Sequence, residues 1–126
     1  MVYSNIFHID DDLDDCLMFK DAISEISDSI YVWENNPLKA LEQLISSEIC
    51  PQLIFLDLNM PNLNGHELLS EISKYNNISV IPVIIFSTSL AGFLPEPKWS
   101  NVIMQYTKPS DYDDLKAIMN QIIFGL

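Results

Sequence analysis

The chain has 126 residues, which suits a single compact domain, and 48% of them are hydrophobic, which is enough for a core and excludes a disordered chain. Its 18 acidic residues outnumber its six lysines, and the formal net charge is −12. This charge excludes direct nucleic-acid binding, because phosphate contacts need a basic surface. No apolar run approaches the roughly 20 residues of a membrane helix, and the first residues carry no signal peptide, so we expect a cytoplasmic protein without membrane contact.

The first half of the chain alternates between strand and helix patterns. Tyr3–Ile9 is a short apolar run that predicts a strand. Asp12–Ile26 has apolar residues at helical spacing behind an Asp cap, which predicts a helix. Ser29–Glu34 predicts a second strand. Asn36 followed by Pro37 predicts the start of a second helix, with Asn as the cap and Pro in the first turn.

The second half repeats the alternation and indicates the fold class. Leu53–Leu56 predicts a buried strand, and turn residues between 61 and 65 lead into a third helix. Val80–Phe86 and Val102–Thr107 predict two further strands, and Ser110 is predicted to cap the last helix. Apolar strands separated by helices predict a doubly wound α/β fold, in which a five-stranded parallel sheet is covered on both faces in the flavodoxin-like manner.

Polar residues follow four of the predicted strands. Asp10 and Asp11 follow the first, Asp57 the third, Ser87 ends the fourth, and Lys108 follows the fifth. Taken singly, each could be a helix cap, a loop residue or a surface lysine. In a parallel sheet they share one edge, where ligands bind. Converging carboxylates need a cation, and oxygen ligands suit Mg²⁺, while a carboxylate can accept a phosphoryl group whose charge a lysine offsets.

Together these residues resemble the bacterial response-regulator receiver domain, of the chemotaxis-receiver kind. The resemblance covers nearly the whole chain and rests on the following segments: Ile9-Asp10-Asp11-Asp12, Leu56-Asp57-Leu58-Asn59-Met60-Pro61 with Gly65, Ser87, and Lys108-Pro109. It implies that Asp57 is the phosphoacceptor and that Ser87 and Lys108 contact the phosphoryl group. It also implies a Mg²⁺ or Mn²⁺ site formed by Asp10, Asp11, Asp57 and the backbone carbonyl of Asn59. Asp12, Asp14 and Asp15 lie outside this set and are expected to be helix-start residues.

The resemblance also implies a role in a two-component phosphorelay. Residues 1–126 would form one stand-alone receiver domain with no output domain after the last helix. A histidine kinase or histidine phosphotransfer protein would present phosphohistidine, and the receiver would catalyse its own phosphorylation and later lose the phosphate by hydrolysis. It would not be a turnover enzyme. The signal would pass to a downstream protein by contact or by onward phosphotransfer, and homodimer formation stays open.

Two features depart from the family pattern. Pro95 and Pro97 do not suit a regular helix, so we expect a short or broken fourth helix between Ser89 and Leu94 and then an extended loop. The family tends to have an aromatic residue three positions before the lysine, and this position is Gln105. The neighbouring Tyr106 faces the other side of the strand, so it could act as the switch aromatic only through a one-residue bulge.

Two alternative functions remain open at this level. A small phosphatase of the haloacid dehalogenase type also uses an Asp nucleophile after its first strand, and Asp10-x-Asp12 matches part of that motif, although Asp14 does not. The other alternative is a receiver-like binding module that works without phosphorylation. Substitution of Asp57 separates the receiver from the phosphatase, which would instead depend on Asp10.

Overall fold

The computed structural model describes residues 3–61, 63–89 and 101–125. These residues form five strands, namely β1 (Asn5–Ile9), β2 (Ile30–Glu34), β3 (Leu53–Leu56), β4 (Val83–Ser87) and β5 (Val102–Thr107). They also form four helices, namely α1 (Leu13–Ile26), α2 (Pro37–Ile45), α3 (Gly65–Ile72) and α4 (Tyr112–Phe124). Within the described ranges, no helix has the length and apolarity needed to cross a membrane.

The strands form one parallel sheet in the order β2-β1-β3-β4-β5. The order reverses beside β1, because the chain first adds β2 on one side and then β3 on the other. This confirms the predicted doubly wound fold. Ile9 at the end of β1 pairs with Leu56 at the end of β3. The residues that follow these two strands, Asp10 and Asp57, therefore emerge side by side at the point where ligands bind in such sheets.

Helices cover both faces of the sheet, as the alternating pattern predicts. One face carries α2 and α3 over a cluster that includes Phe7 and Ile54, and the other carries α1 and α4 over a cluster that includes Phe55 and Phe86. These four side chains are fully buried. Full burial of one such side chain stabilises the fold by about 1.5–3 kcal/mol. The sheet is therefore a rigid support for the residues at its edge.

The helix caps agree with the sequence at two helices and differ at the last. The Asp12 carboxylate accepts hydrogen bonds from the first turn of α1, and Asn36 does the same for α2. The predicted cap of α4 at Ser110 is wrong by one residue. Asp111 has the extended backbone of a cap, and its carboxylate accepts a hydrogen bond from the backbone N–H of Asp113 at 2.8 Å. A carboxylate at this position also interacts favourably with the positive, N-terminal end of the helix dipole.

The region before β4 also differs from the prediction. The strand begins at Val83 and not at Val80, whose side chain is 74% exposed. The intervening Pro82 has no N–H to donate to a neighbouring strand, and the backbone N–H of Ile81 bonds to Ile78 within a turn. The predicted broken fourth helix and the loop that follows it fall on residues 90–100, which lie outside the described residues.

A register shift between β4 and β5 bears on the aromatic at the end of β5. Val83 pairs with Val102 but Ile84 pairs with Met104, so β5 contains one extra residue. Beyond the shift, Phe86 pairs with Tyr106, and their rings stack at 5.3 Å. Tyr106 therefore packs on the sheet face covered by α1 and α4. A switch role for Tyr106 or Gln105 stays a prediction.

Candidate functional site

The residues predicted at the strand ends meet at one edge of the sheet. Asp10 follows β1, Asp57 follows β3, Ser87 ends β4, and Lys108 follows β5. The Lys108 Nζ atom lies 2.9 Å from Asp10 Oδ2 and 3.6 Å from Asp57 Oδ2. Asp10 and Ser87 are fully buried, and Asp57 is 4% exposed. Such burial of charged groups requires partners, and the lysine supplies one.

Three of the acids are close enough to share a cation. Carboxylate oxygens of Asp10, Asp11 and Asp57 lie within 4.8 Å of one another, with Asp11 on the exposed side. Carboxylate oxygens in an arrangement with an open, solvent-facing side fit Mg²⁺ or Mn²⁺, because these ions prefer oxygen ligands and Mg²⁺ keeps several waters. The backbone N–H of Asp12 donates to Asp10 Oδ1 at 2.9 Å and fixes that carboxylate. The metal role of the Asn59 carbonyl stays a prediction.

The loop after β3 holds Asp57 through its backbone. The Asp57 N–H donates to the carbonyl of Ile9 at 3.0 Å, and the Gly65 N–H donates to the carbonyl of Leu58 at 3.0 Å. A Cβ atom on Gly65 would lie 2.6 Å from Leu58 Cα and 2.8 Å from the Asp57 carbonyl oxygen. Glycine is required here for close approach of two backbones. The start of α3 thus packs directly against the residue that carries the candidate chemistry.

Asn59 links this loop to β4 in a way that the sequence does not reveal. Its side-chain Nδ2 donates to Ser87 Oγ at 2.9 Å, and its backbone N–H donates to Asp57 Oδ1 at 3.2 Å. The predicted metal site involves Asn59 only through its backbone carbonyl. The structure therefore adds a side-chain role, in which Asn59 orients the hydroxyl of Ser87 while its backbone N–H binds the Asp57 carboxylate.

Asp15 is a further member of the cluster that sequence reasoning missed. It was expected only to favour the start of α1, but its Oδ2 lies 2.6 Å from Lys108 Nζ, which is closer than either Asp10 or Asp57. Asp15 lies in the first turn of α1, which begins just after the end of β1 where Asp10 and Asp11 lie. This closeness to a strand end is the signal that could have placed Asp15 at the site. Lys108 is thus shared by three carboxylates.

The charges shift the pKa values of the clustered groups. Burial and the nearby negative charge of Asp10 raise the pKa of Asp57 to about 6, although Lys108 opposes this. Burial alone would raise the pKa of Asp10, but the contact with His8 and the charge of Lys108 outweigh it and lower that pKa. Burial would lower the pKa of Lys108, but the bonds to Asp15 and Asp10 raise it above the ordinary value. Asp57 is therefore the carboxylate of the cluster whose charged form is least favourable when no metal ion is bound.

The raised pKa of Asp57 predicts a pH-dependent cost in stability. Because the folded-state pKa exceeds the ordinary value of 3.8, ionisation of Asp57 destabilises the metal-free fold as the pH rises from about 4 to about 6. Asp57→Asn should remove this loss. With solvent screening at the open side, we expect the variant to be about 1–2 kcal/mol more stable at pH 7 in EDTA. Urea unfolding across this pH range measures the difference.

Asp28→Asn is the matched control for this prediction, because Asp28 is exposed and lies between α1 and β2, away from the cluster. Its unfolding profile should follow that of the wild type. Equal stability of the Asp57→Asn and wild-type proteins at pH 7 would contradict the prediction.

The fold and the cluster define a class of protein. It is a doubly wound parallel α/β domain with an acidic site at its switch point, completed by a lysine and a hydroxyl. Residues 6–120 match the family model of the response regulator receiver domain. The chain belongs to this family and is a receiver domain of two-component response regulators, which supports the receiver interpretation over the phosphatase alternative.

Comparison with individual proteins agrees with this assignment. The chain is 34% identical over 73 residues to the probable methanogenesis regulatory protein FilR2 of Methanothrix harundinacea, a match that covers 57% of this chain and 47% of that protein. The chain spans about half the length of the curated relatives that it matches.

Solved structures show the same fold. The phosphorylated cyanobacterial phytochrome response regulator RcpA aligns with a TM-score of 0.78 and 24% identity, over 98% of this chain and 95% of that chain. The Mn²⁺-bound form of response regulator Rcp1 aligns with a TM-score of 0.72 and 27% identity, over 94% of this chain and 91% of that chain.

Proposed function

We propose that the protein accepts a phosphoryl group on Asp57 from the phosphohistidine of a histidine kinase or histidine phosphotransfer protein. The observation that carries this proposal is the position of Asp57, which is 4% exposed and lies among Asp10, Asp11 and Lys108. Asp10, Asp11, Asp57 and the carbonyl of Asn59 would hold Mg²⁺ or Mn²⁺. The Mn²⁺-bound form of Rcp1, a related response regulator, supports this choice of metal.

The transfer would proceed by nucleophilic attack of the Asp57 carboxylate on phosphorus. An O–P bond forms, the N–P bond of the phosphohistidine breaks, and the donor imidazole nitrogen keeps the electron pair. When bound, the metal ion supplies positive charge to the phosphoryl oxygens. Lys108 offsets the remaining charge, and Ser87, oriented by Asn59 at 2.9 Å, donates its hydroxyl to the phosphoryl group. Water later hydrolyses the acyl phosphate and restores the carboxylate.

Asp57 itself is the substrate of this reaction, so the protein would not be a turnover enzyme. We propose that residues 1–126 act as one cytoplasmic receiver domain. Phosphorylation would change its contact with a downstream protein or supply the phosphoryl group for onward transfer. The charge of −12 agrees with protein partners and not with nucleic acid.

Incubation with acetyl phosphate and Mg²⁺ tests the proposal. We expect the intact mass to increase by one phosphoryl group, and we expect EDTA to prevent the increase. Asp57→Asn should abolish the adduct, because the amide is a poor nucleophile. Asp14→Asn is the matched control, since Asp14 is an exposed acid in the first turn of α1 and should leave the adduct unchanged.

Absence of an adduct on the wild-type protein would favour a binding module that works without phosphorylation. Retention of the adduct in Asp57→Asn would place the phosphoacceptor elsewhere. Either result contradicts the proposal.

A further inference from the structure

A histidine lies beneath the acidic cluster, inside the sheet. His8 is in β1, two residues before Asp10, and its side chain is fully buried. The ring stacks on Phe19 at a centroid distance of 4.3 Å and meets the ring of Phe55 edge-on at 6.0 Å. These aromatic contacts fix the plane of the imidazole. A polar side chain in such a core position needs hydrogen-bond partners at both ring nitrogens.

Each ring nitrogen of His8 faces one polar group. Nδ1 lies 2.6 Å from the hydroxyl of Tyr31 on β2, and Nε2 lies 3.3 Å from Asp10 Oδ2. In the described part of the chain, neither Nε2 nor Asp10 Oδ2 has a partner with hydrogen-bond geometry, so their 3.3 Å contact is a close approach and not an aligned hydrogen bond. An unsatisfied buried polar atom costs about 1–3 kcal/mol. The Asp10 carboxylate is thus the acceptor that faces Nε2.

The position of the imidazole proton follows from these contacts. A neutral imidazole carries a single N–H, and the neighbours of the two nitrogens decide which of them holds it. With the proton on Nδ1, the lone pair of Nε2 would face a carboxylate oxygen inside the core, which is repulsive. With the proton on Nε2, the N–H points to Asp10 and the hydroxyl of Tyr31 donates to Nδ1. Only the second arrangement gives each nitrogen a neighbour of complementary polarity.

Tyr31 has a second acceptor within reach, the carbonyl of Cys16 at 3.1 Å. Cys16 lies in α1, where its carbonyl also takes part in the helical hydrogen-bond pattern. The shorter contact of 2.6 Å is the one to His8. The hydroxyl of Tyr31 therefore donates more favourably to the imidazole, because Tyr31 is the donor that the described residues place at Nδ1.

We infer that His8 and Tyr31 are positioning residues for the cation site: the hydroxyl of Tyr31 selects the His8 tautomer whose Nε2–H faces Asp10, and this contact holds the Asp10 carboxylate for the metal. The inference rests on the proposed function of the cluster. Partners that orient metal-binding side chains commonly change metal affinity by about 10–100-fold when they are removed. His8 contacts the Asp10 carboxylate from the buried interior of the sheet, while Lys108 and the backbone N–H of Asp12 contact the same carboxylate from other sides.

Calorimetric titration of the full chain with Mg²⁺ tests this inference. Tyr31→Phe should raise the Mg²⁺ dissociation constant roughly fivefold, as one lost hydrogen bond would. His8→Leu should raise it about tenfold or more. His8→Gln should bind Mg²⁺ more tightly than His8→Leu, because the glutamine amide can place an N–H where Nε2 lies.

Tyr75→Phe is the matched control, because Tyr75 is 36% exposed and follows α3, away from the cluster. Its dissociation constant should equal that of the wild type. Unfolding in EDTA, measured on each variant, separates changes in folding from changes in metal affinity. The milder Tyr31→Phe and His8→Gln variants keep the test decisive if His8→Leu fails to fold.

Two results would overturn the inference, and they are distinguishable. If the wild type binds Mg²⁺ and is phosphorylated while Tyr31→Phe and His8→Leu keep its dissociation constant, the positioning role is wrong and the proposed function stands. If the wild type neither binds Mg²⁺ nor forms the phosphoryl adduct, the proposed function fails and the inference fails with it.

Discussion

Lys108→Met is expected to destabilise the metal-free protein by about 3 kcal/mol at pH 7, because removal of one partner leaves buried charges without compensation. Lys108 is the cation shared by Asp10, Asp15 and Asp57, at distances of 2.9, 2.6 and 3.6 Å. Asp10 is fully buried, so solvent cannot replace the lysine there. Urea unfolding in EDTA measures the loss.

Two conditions should reduce this loss. Without the lysine, the carboxylates bind protons more readily in the folded state, so lowering the pH stabilises the variant more than the wild type. The difference in unfolding free energy between the wild type and Lys108→Met should therefore be smaller at pH 5 than at pH 7. Millimolar Mg²⁺ should also narrow it, because the ion brings positive charge to the same carboxylates.

Lys116→Met is the matched control for Lys108. Lys116 forms an ion pair with Glu25 at 2.9 Å, but the two side chains are 36% and 50% exposed. An exposed pair of this kind contributes about 0–1 kcal/mol. Losses of equal size in the Lys108 and Lys116 variants would show that burial of the cluster does not make its lysine more important.

Gly65→Ala is expected to destabilise the protein by about 3 kcal/mol and to slow its phosphorylation. The added methyl group would overlap Leu58 Cα at 2.6 Å and the Asp57 carbonyl oxygen at 2.8 Å. Both are backbone atoms, so the clash is relieved only by moving the loop that carries Asp57, and overpacking of this kind costs about 1–3 kcal/mol. Urea unfolding and the rate of adduct formation with acetyl phosphate measure the two effects.

Ser70→Ala provides the comparison within the same helix. Ser70 is half-buried in α3 and away from Asp57, and alanine favours a helix at least as well as serine does. This variant should be within about 0.5 kcal/mol of the wild type. A small effect of Gly65→Ala, similar to that of Ser70→Ala, would show that the loop can move away at little cost.

The fold and the candidate site follow from the sequence to different extents. The period of the apolar residues predicts the order of strands and helices along the chain. Right-handed parallel crossovers then leave a few arrangements of the sheet, and the structure has the order β2-β1-β3-β4-β5. The predicted start of β4 is three residues too early because Val80 and Ile81, which precede Pro82, are also apolar. The predicted cap of α4 is wrong by one residue because Ser110 and Asp111 are both good caps. Such boundaries depend on which backbone groups find partners in the folded chain.

The sequence by itself determined which side chains gather at the sheet edge. Asp10, Asp57, Ser87 and Lys108 each sit at a strand end, and the carboxyl ends of parallel strands lie at one edge regardless of the details of packing. No contact between individual side chains had to be known for that conclusion. The structure brings Asp10, Asp57 and Lys108 into contact, and Ser87 lies at the same edge, where its carbonyl accepts from the Lys108 backbone N–H.

Only the tertiary structure decided how these side chains are paired. Asp15 reaches Lys108 across 93 residues of sequence, Asn59 reaches Ser87 across 28, and His8 reaches Tyr31 across 23. These contacts depend on how α1 is rotated over the sheet and on which face each strand residue points to. Hydrogen bonds form over about 3 Å, and an error of one residue in register would break them. The residues that carry the chemistry of the site are therefore predictable from the sequence, whereas the groups that orient them are identified only by the folded structure.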